Sequence, residues 1–282
     1  MDQYMLECPD LFRIGDKWYL TYSWDCVTYY AMADSMYGPF TIPHNNVFDG
    51  NGFIFYAAKT AELNGTHYLC GWLGRAGLTS DSGVYQWAGS MLNHQLVQYE
   101  DGTLGVREPE TYAGYFTAEK QFKAVKKDGD VKIKDNSITL SAEEGKQAVA
   151  DMGTRVPTMM LECDVTLDAD GCAGFCFGGT EADPTTFYAL CLDAEQGLLH
   201  YEGYKLEQIS KFDPQAFTRF DFSEKETHHV KLVCENEIVV LYIDDLKALS
   251  LRVTLSTGGA HIGVFADGCN ATFSNITMKT PG

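Results

Sequence analysis

One acidic residue near the start of the chain, Glu7 in the segment ECPDLF, has a side chain that can carry proton-transfer chemistry. It lies just before a predicted hairpin and is flanked by the apolar side chains of Tyr4, Met5, Leu6 and Phe12. A carboxyl group in apolar surroundings keeps its proton more readily than one in water, which suits a general acid. The alternative is an exposed acid at a strand end, which composition alone favours because acids are mostly exposed.

The nine cysteines are an odd number in a chain of 282 residues, which is long enough to fold without disulfides. We therefore expect reduced and mostly buried thiols. Cys172 and Cys176 have the spacing of half a metal site, but no second Cys/His pair follows at zinc-like spacing, and the segment GCAGFCFGG alternates like a strand. The sequence predicts no metal site and no organic cofactor.

The chain is strongly acidic. It has 21 Lys and Arg against 39 Asp and Glu, a net charge of -18 and a pI of about 4.6. Such a surface repels nucleic acid and anionic membranes, so neither is an expected partner. No basic segment followed by an apolar run opens the sequence, and no window approaches the roughly 18 apolar residues of a membrane span. We therefore expect a cytoplasmic location.

Short apolar or aromatic runs separated by turn signals extend along the whole chain, which is typical of an all-β fold. In residues 1–112, two similar units each open with an aromatic-rich strand pair, around Gly15-Asp16 and around Asn64-Gly65. Their spacing of about 45 residues fits four-stranded β-propeller blades. Residues 113–282 contain fewer aromatics and longer alternating strands, which predicts a separate jelly-roll-like β-sandwich.

Several segments of the first 110 residues resemble, in the right order, one known family. ECPDLF at 7–12 matches its Glu-Cys-Pro-Asp motif residue for residue, and FDGNGFIFYAAKT at 48–60, CGWL at 70–73 and WAGSMLNHQLVQYEDGTLGVREPE at 87–110 are similar to later segments. The family is glycoside hydrolase family 32, the invertase, levanase and inulinase group. The chain resembles only the C-terminal part of such an enzyme, and residues 113–282 resemble the appended domain more loosely.

The resemblance implies that residues 1–112 are blades 4 and 5 of a five-bladed propeller with a pocket on its axis. Glu7 would be the general acid/base of a retaining hydrolase that cleaves terminal β-fructofuranosides such as sucrose, levan or inulin. Cleavage of a glycosidic bond by this route needs one carboxyl group as proton donor and a second as nucleophile, and no cofactor.

The resemblance also assigns substrate binding to Asp49, Tyr56 and Trp72. Asp49 matches an acid near the pocket mouth, although Asp before Gly is also common in turns. Tyr56 either lines the pocket or packs between blades. Trp72 either stacks on a sugar ring or fills the core of a blade.

Two motifs of the family do not occur in the sequence. They are Trp-Met-Asn-Asp-Pro-Asn-Gly, which carries the nucleophile, and Arg-Asp-Pro, which carries a transition-state stabiliser. The chain is therefore interpreted as a part of an enzyme, inactive without an N-terminal blade fragment. That fragment, a fructoside or fructan, and a second copy of the chain are the expected partners, since open blade edges favour association.

Two alternatives stay open at this point. The chain could be a non-catalytic, lectin-like carbohydrate-binding protein whose sandwich binds sugar, because jelly rolls support both binding and bracing. It could also belong to another class of propeller glycosidase, such as the arabinan-cleaving enzymes, which share the blade pattern. The ECPDLF segment argues against the second alternative.

Overall fold

The computed structural model describes residues 6–50, 55–76, 85–178, 187–202, 216–253 and 261–282. The fold is all-β, as predicted. In the described ranges, helical structure is limited to α1 (Tyr112–Tyr115) and a 3-10 turn at Phe222–Glu224. No helix in these ranges has the length and apolar composition that crossing a membrane requires.

The chain forms two compact units. One contains Met1–Tyr112 together with Tyr242–Ser250, and the other contains Ala113–Leu241 together with Leu251–Gly282. The sequence pattern predicts that residues 242–250 belong to the second domain with the rest of 113–282. In the structure they group with the first unit, where Lys247 and Ser250 form hydrogen bonds to residues 47 and 49.

The first unit contains two antiparallel sheets. Its strands are β1 (Glu7–Ile14), β2 (Lys17–Trp24), β3 (Val27–Ala33), β4 (Tyr56–Leu63), β5 (Thr66–Ala76), β6 (Tyr85–Gln98) and β7 (Leu104–Arg107). The sheet orders are β1-β2-β3 and β4-β5-β6-β7. Both hairpins predicted from the sequence are confirmed, at Gly15-Asp16 and at Asn64-Gly65. Asn64 and Gly65 have φ angles of 54° and 83°, which suit the two-residue turns that join paired strands.

Aromatic side chains fill the core of the first unit. Tyr19 and Tyr30 are fully buried, and Tyr30 stacks on Phe48 with ring centroids 4.9 Å apart. The buried hydroxyl groups need partners, and they find them on the main chain near β7. Tyr19 donates to the carbonyl of Gly102 at 2.6 Å, and the Tyr30 hydroxyl accepts from the amide of Leu104 at 2.9 Å.

The remaining strands are β8 (Phe116–Glu119), β9 (Val125–Asp128), β10 (Asp130–Lys134), β11 (Ser137–Ser141), β12 (Gln147–Thr154), β13 (Thr158–Leu167), β14 (Cys172–Gly178), β15 (Phe187–Asp193), β16 (Leu198–Glu202), β17 (Ala216–Arg219), β18 (His228–Glu235), β19 (Ile238–Ile243), β20 (Lys247–Arg252), β21 (His261–Asp267) and β22 (Asn270–Pro281). They lie in the second unit, except that residues 242–250, which contain the end of β19 and most of β20, group with the first unit.

These strands form two sheets. One has the order β10-β11-β22-β13-β18-β19-β20, with β8 also paired to β22, and the other has the order β17-β16-β15-β14-β21-β12-β9. Phe175 on β14 and Phe273 on β22 are fully buried, and their rings meet edge to face at 5.7 Å. This contact joins the two sheets through the core of the unit.

Lys247 is a buried lysine whose amine donates to the Asn45 side chain and to the carbonyl of Val47. Burial lowers its pKa from 10.5 to about 7, although the charge of Asp49 acts in the opposite direction. Between these two pH values the unfolded chain carries a proton on Lys247 that the folded chain lacks. Raising the pH from 7 towards 10.5 therefore favours the folded state, and lowering it back to 7 removes that stabilisation.

We expect the stability of the wild type relative to Lys247→Met to increase by about 1 to 2 kcal/mol between pH 7 and 8.5. All four tryptophans lie in residues 1–112, so urea unfolding followed by tryptophan fluorescence reports on the unit that holds Lys247. Lys59→Met, which changes an exposed lysine of the same unit, is the control and should keep the pH slope of the wild type. The same change of the free energy of unfolding with pH in the wild type and in Lys247→Met would contradict the prediction.

Candidate active site

A β-bulge positions Glu7 at the start of β1. Glu7 pairs with Ser23, but the next regular pair is Asp10 with Thr21, and Cys8 between them has a φ angle of 51°. An extra residue of this kind bends a strand and redirects the side chains beside it. Glu7, which is half-buried, therefore lies directly before a break in the regular alternation of the strand.

The same device recurs in β4, the first strand of the second sheet. Tyr56 pairs with Trp72, the next regular pair is Lys59 with Cys70, and Ala57 has a φ angle of 54°. Each of the two sheets thus opens with a strand that is bulged directly after a residue singled out from the sequence.

Polar contacts hold β1 against β4. The amide and the hydroxyl of Thr60 both donate to Asp10 Oδ2 at 2.7 Å, and Lys59 Nζ donates to the carbonyl of Pro9 at 2.5 Å. These contacts lie within or directly beside the two bulges, so they hold Glu7 and Tyr56 near each other.

The structure brings together three of the four residues predicted for the site. The Tyr56 hydroxyl donates to Glu7 Oε2, and the ring of Tyr56 meets the ring of Trp72 edge to face, with centroids 5.5 Å apart. Tyr56 is only 3% exposed, whereas Glu7 and Trp72 are partly accessible. The group therefore offers a carboxylate and an aromatic surface that solvent reaches.

Tyr56 acts here as a neutral donor. Burial raises its pKa far above the ordinary value of a tyrosine, and the hydrogen bond to Glu7 raises it further. Cys26 lies close enough to feel the same carboxylate. Burial, followed by the charges of Asp25 and Glu7, raises the pKa of the Cys26 thiol. Both groups are therefore uncharged at neutral pH.

The apolar surroundings predicted for Glu7 differ from those observed. Leu6 is 46% exposed, and Phe12 stacks on Tyr19 with centroids 5.4 Å apart. Tyr4 and Met5 lie outside the described residues, as do residues 51–54 of the FDGNGFIFYAAKT segment. The described partner of Glu7 is Tyr56, which comes from the other sheet.

Asp49, the fourth predicted residue, lies in a buried network of hydrogen bonds. It is 2% exposed, and His94 Nε2 lies 2.9 Å from its Oδ2. Its Oδ1 accepts from the amides of Gly50 at 2.5 Å and Ser250 at 2.7 Å, and the Ser250 hydroxyl donates to Oδ2. The other ring nitrogen of His94, Nδ1, lies 2.9 Å from the Tyr242 hydroxyl.

The electrostatics of Asp49 follow from these partners. Burial alone would raise the pKa of Asp49, but the hydrogen bonds and charge of His94 and the bonds from Ser250 outweigh it and lower the pKa. The residue is therefore a buried carboxylate that binds four donors. This geometry gives Asp49 a role in holding the first unit together, and its predicted part in substrate binding stays a prediction.

The comparisons with known proteins agree with the resemblance drawn from the sequence. Residues 1–107 match the family model of the Glycosyl hydrolases family 32 N-terminal domain. The resemblance to this family is confirmed over this segment, which contains Glu7, Asp49, Tyr56 and Trp72. The model describes a glycoside hydrolase and does not support the lectin-like alternative. A comparison with curated proteins gives no match.

Solved structures share the fold of nearly the whole chain. Fructan 1-exohydrolase IIa from Cichorium intybus is 14% identical, with a TM-score of 0.68 over 98% of this chain and 61% of its own. The fructosyltransferase from A. japonicus is 15% identical, with a TM-score of 0.64 over 98% of this chain and 56% of its own. The exo-inulinase from Aspergillus awamori is 15% identical, with a TM-score of 0.60 over 98% of this chain and 57% of its own. The chain thus spans a little over half the length of these structures.

Proposed function

We propose that the first unit supplies the acid/base half of a retaining glycoside hydrolase site for terminal β-fructofuranosides such as sucrose, levan or inulin. The observation that carries this proposal is the hydrogen bond from Tyr56 to Glu7, beside Trp72, within the segment that matches family 32. A partly accessible carboxyl group next to an aromatic wall is the arrangement that protonation of a sugar leaving group needs.

Glu7 has two tasks in this reaction. In the first step its carboxyl group gives a proton to the leaving oxygen while a second carboxylate attacks the anomeric carbon. In the second step the Glu7 carboxylate takes a proton from the water that releases the sugar. The hydroxyl of Tyr56 orients the carboxylate by donating to one of its oxygens. The Trp72 ring gives the apolar face of a sugar a surface to pack on.

The nucleophile has to come from another segment. The 282 residues contain neither of the family motifs that carry the two other acids. The proposal therefore assigns these acids to further blades of a five-bladed propeller, in which residues 1–112 form blades 4 and 5. Retaining enzymes hold their two carboxyl groups about 5 to 5.5 Å apart, so the ring must close before Glu7 can act. The second unit would be the appended β-sandwich of the same enzyme.

Reconstitution tests this proposal. The chain alone should release no measurable fructose from sucrose, levan or inulin, because an acid without its nucleophile loses most of the rate. Mixing it with a polypeptide from the same source that carries the Asn-Asp-Pro-Asn and Arg-Asp-Pro motifs should produce fructose. Activity of the chain by itself would refute the division of the site. A stable mixture that cleaves no fructoside would refute the substrate class.

A further inference from the structure

A cluster of sulfur and nitrogen ligands lies in the second unit. The Sγ atoms of Cys172 and Cys191 and a ring nitrogen of His200 all lie within 4.8 Å of one another. None of its members belongs to the group formed by Glu7, Tyr56 and Trp72, and each is a good ligand for a transition metal.

Strand pairing builds the cluster. The strands β14, β15 and β16 are neighbours in one sheet, and Cys191 on β15 lies directly opposite His200 on β16. Cys172 on β14 lies opposite Asp193, which places it diagonally from Cys191 on the same face. Since side chains alternate between faces, these residues and Asp193 all point to one side of the sheet.

The surroundings of the cluster are buried and rich in negative charge. Cys191 and His200 are 0% and 1% exposed, and two buried carboxylates flank the imidazole. His200 Nε2 lies 3.2 Å from Asp193 Oδ2, and His200 Nδ1 lies 3.4 Å from Glu202 Oε1. Two acids and two thiols thus surround one imidazole, and buried charges are stable when they are paired or coordinate a metal ion.

We propose that Cys172, Cys191, His200 and Asp193 bind a Zn²⁺ ion. Zinc takes four ligands at tetrahedral corners, and with bonds of about 2.0 to 2.2 Å the edge between a nitrogen and an oxygen ligand is about 3.3 Å. The observed 3.2 Å between His200 Nε2 and Asp193 Oδ2 fits such an edge. A histidine that ligates through Nε2 normally donates its Nδ1–H to a carboxylate, and Glu202 stands in that place.

A disulfide between Cys172 and Cys191 fits the geometry less well. Diagonal neighbours on an antiparallel sheet have Cα atoms about 7 to 8 Å apart, whereas a disulfide usually joins Cα atoms 4.4 to 6.8 Å apart. Both cysteines are free thiols in the structure. A metal ion spans the longer distance, and here it would tie three neighbouring strands together. With Asp193 as the fourth ligand, the proposed site would be closed, as structural zinc sites are.

Metal analysis of the full chain tests the site. The protein, purified without a polyhistidine tag and stripped with a chelator, should bind one Zn²⁺ per chain. Substituting Co²⁺ should give the sulfur-to-metal charge-transfer absorption of thiolate ligands. In Cys191→Ser and in His200→Gln we expect binding on the order of 100-fold weaker or worse. Cys176→Ser, which changes a buried cysteine on the same sheet face outside the cluster, is the matched control and should bind normally.

A second measurement does not depend on how the variants fold. Cys172 is partly accessible, so Zn²⁺ should slow its alkylation in the wild type, as measured by mass spectrometry of its peptide. Cys26, a partly accessible cysteine of the first unit, should react at the same rate with or without the metal. Absence of tight zinc binding in the wild type, equal loss in Cys176→Ser, or unchanged alkylation of Cys172 would each overturn the proposal.

Discussion

Fructose release by the reconstituted enzyme should fall by about 10²- to 10⁴-fold when Glu7 is replaced by glutamine. This is the usual contribution of a positioned acid or base, and glutamine keeps the shape of the side chain while removing the titrating proton. Glu62→Gln is the matched control, because Glu62 is an exposed acid on β4 of the same unit. It should leave the rate of fructose release within a factor of about two of the wild-type value, as expected for a surface position.

Substrates with different leaving groups distinguish a catalytic acid/base at Glu7 from a residue that only supports the structure. The leaving group of an activated aryl fructoside departs without being protonated. Glu7→Gln should therefore show a rapid burst of the aryl alcohol, followed by slow turnover. Azide attacks the glycosyl intermediate without needing a base, so adding azide should restore turnover in Glu7→Gln and leave the wild type nearly unchanged. Equal losses on sucrose and on the activated substrate, with no effect of azide, would contradict the assignment.

Much of the fold could be predicted because its signals are local. The all-β class and the hairpins at Gly15-Asp16 and Asn64-Gly65 follow from alternation and turn residues within a few positions. The hairpin between β2 and β3 carries no such signal. Asp25 and Cys26 occupy it with φ angles of 46° and 63°, and cysteine is an unusual choice for that backbone conformation.

The candidate site was predictable in part. A six-residue motif pointed to Glu7, and short aligned segments pointed to Tyr56 and Trp72, which the structure places beside one another. The bulges at Cys8 and Ala57 were not foreseen, because neither residue type marks a bulge. They nevertheless redirect the side chains that meet.

Contacts between distant parts of the chain were the least predictable. Ser250 and Lys247 form hydrogen bonds to residues about 200 positions earlier in the chain. No local pattern in the segment IDDLKALSLR, residues 243–252, predicts these contacts. The cysteines give a second example. Sequence spacing drew attention to Cys172 and Cys176, whereas sheet pairing unites Cys172 with Cys191 and His200. Register across strands decides such neighbours, and a single sequence does not display it.

The Asp49 network should dominate the stability of the first unit. The carboxylate accepts from Gly50, Ser250 and His94 in a site from which water is excluded. In Asp49→Asn only one acceptor oxygen remains, and the new amide group faces a donor. Removing one partner of a buried charged network typically costs about 3 to 5 kcal/mol, and we expect a loss of that size in the free energy of unfolding.

Urea unfolding followed by tryptophan fluorescence measures this loss on the isolated chain, so it needs neither substrate nor partner. The control is Asp34→Asn, which removes an exposed ion pair with Lys17 at 2.5 Å and should leave the free energy of unfolding nearly unchanged. A loss in Asp49→Asn as small as that of the control would contradict the network. Asp49 would then contribute little to stability, and its predicted contact with substrate would better explain why an acid occupies this position. A loss of several kcal/mol would instead show that the carboxylate acts by holding residues 242–250 within the first unit.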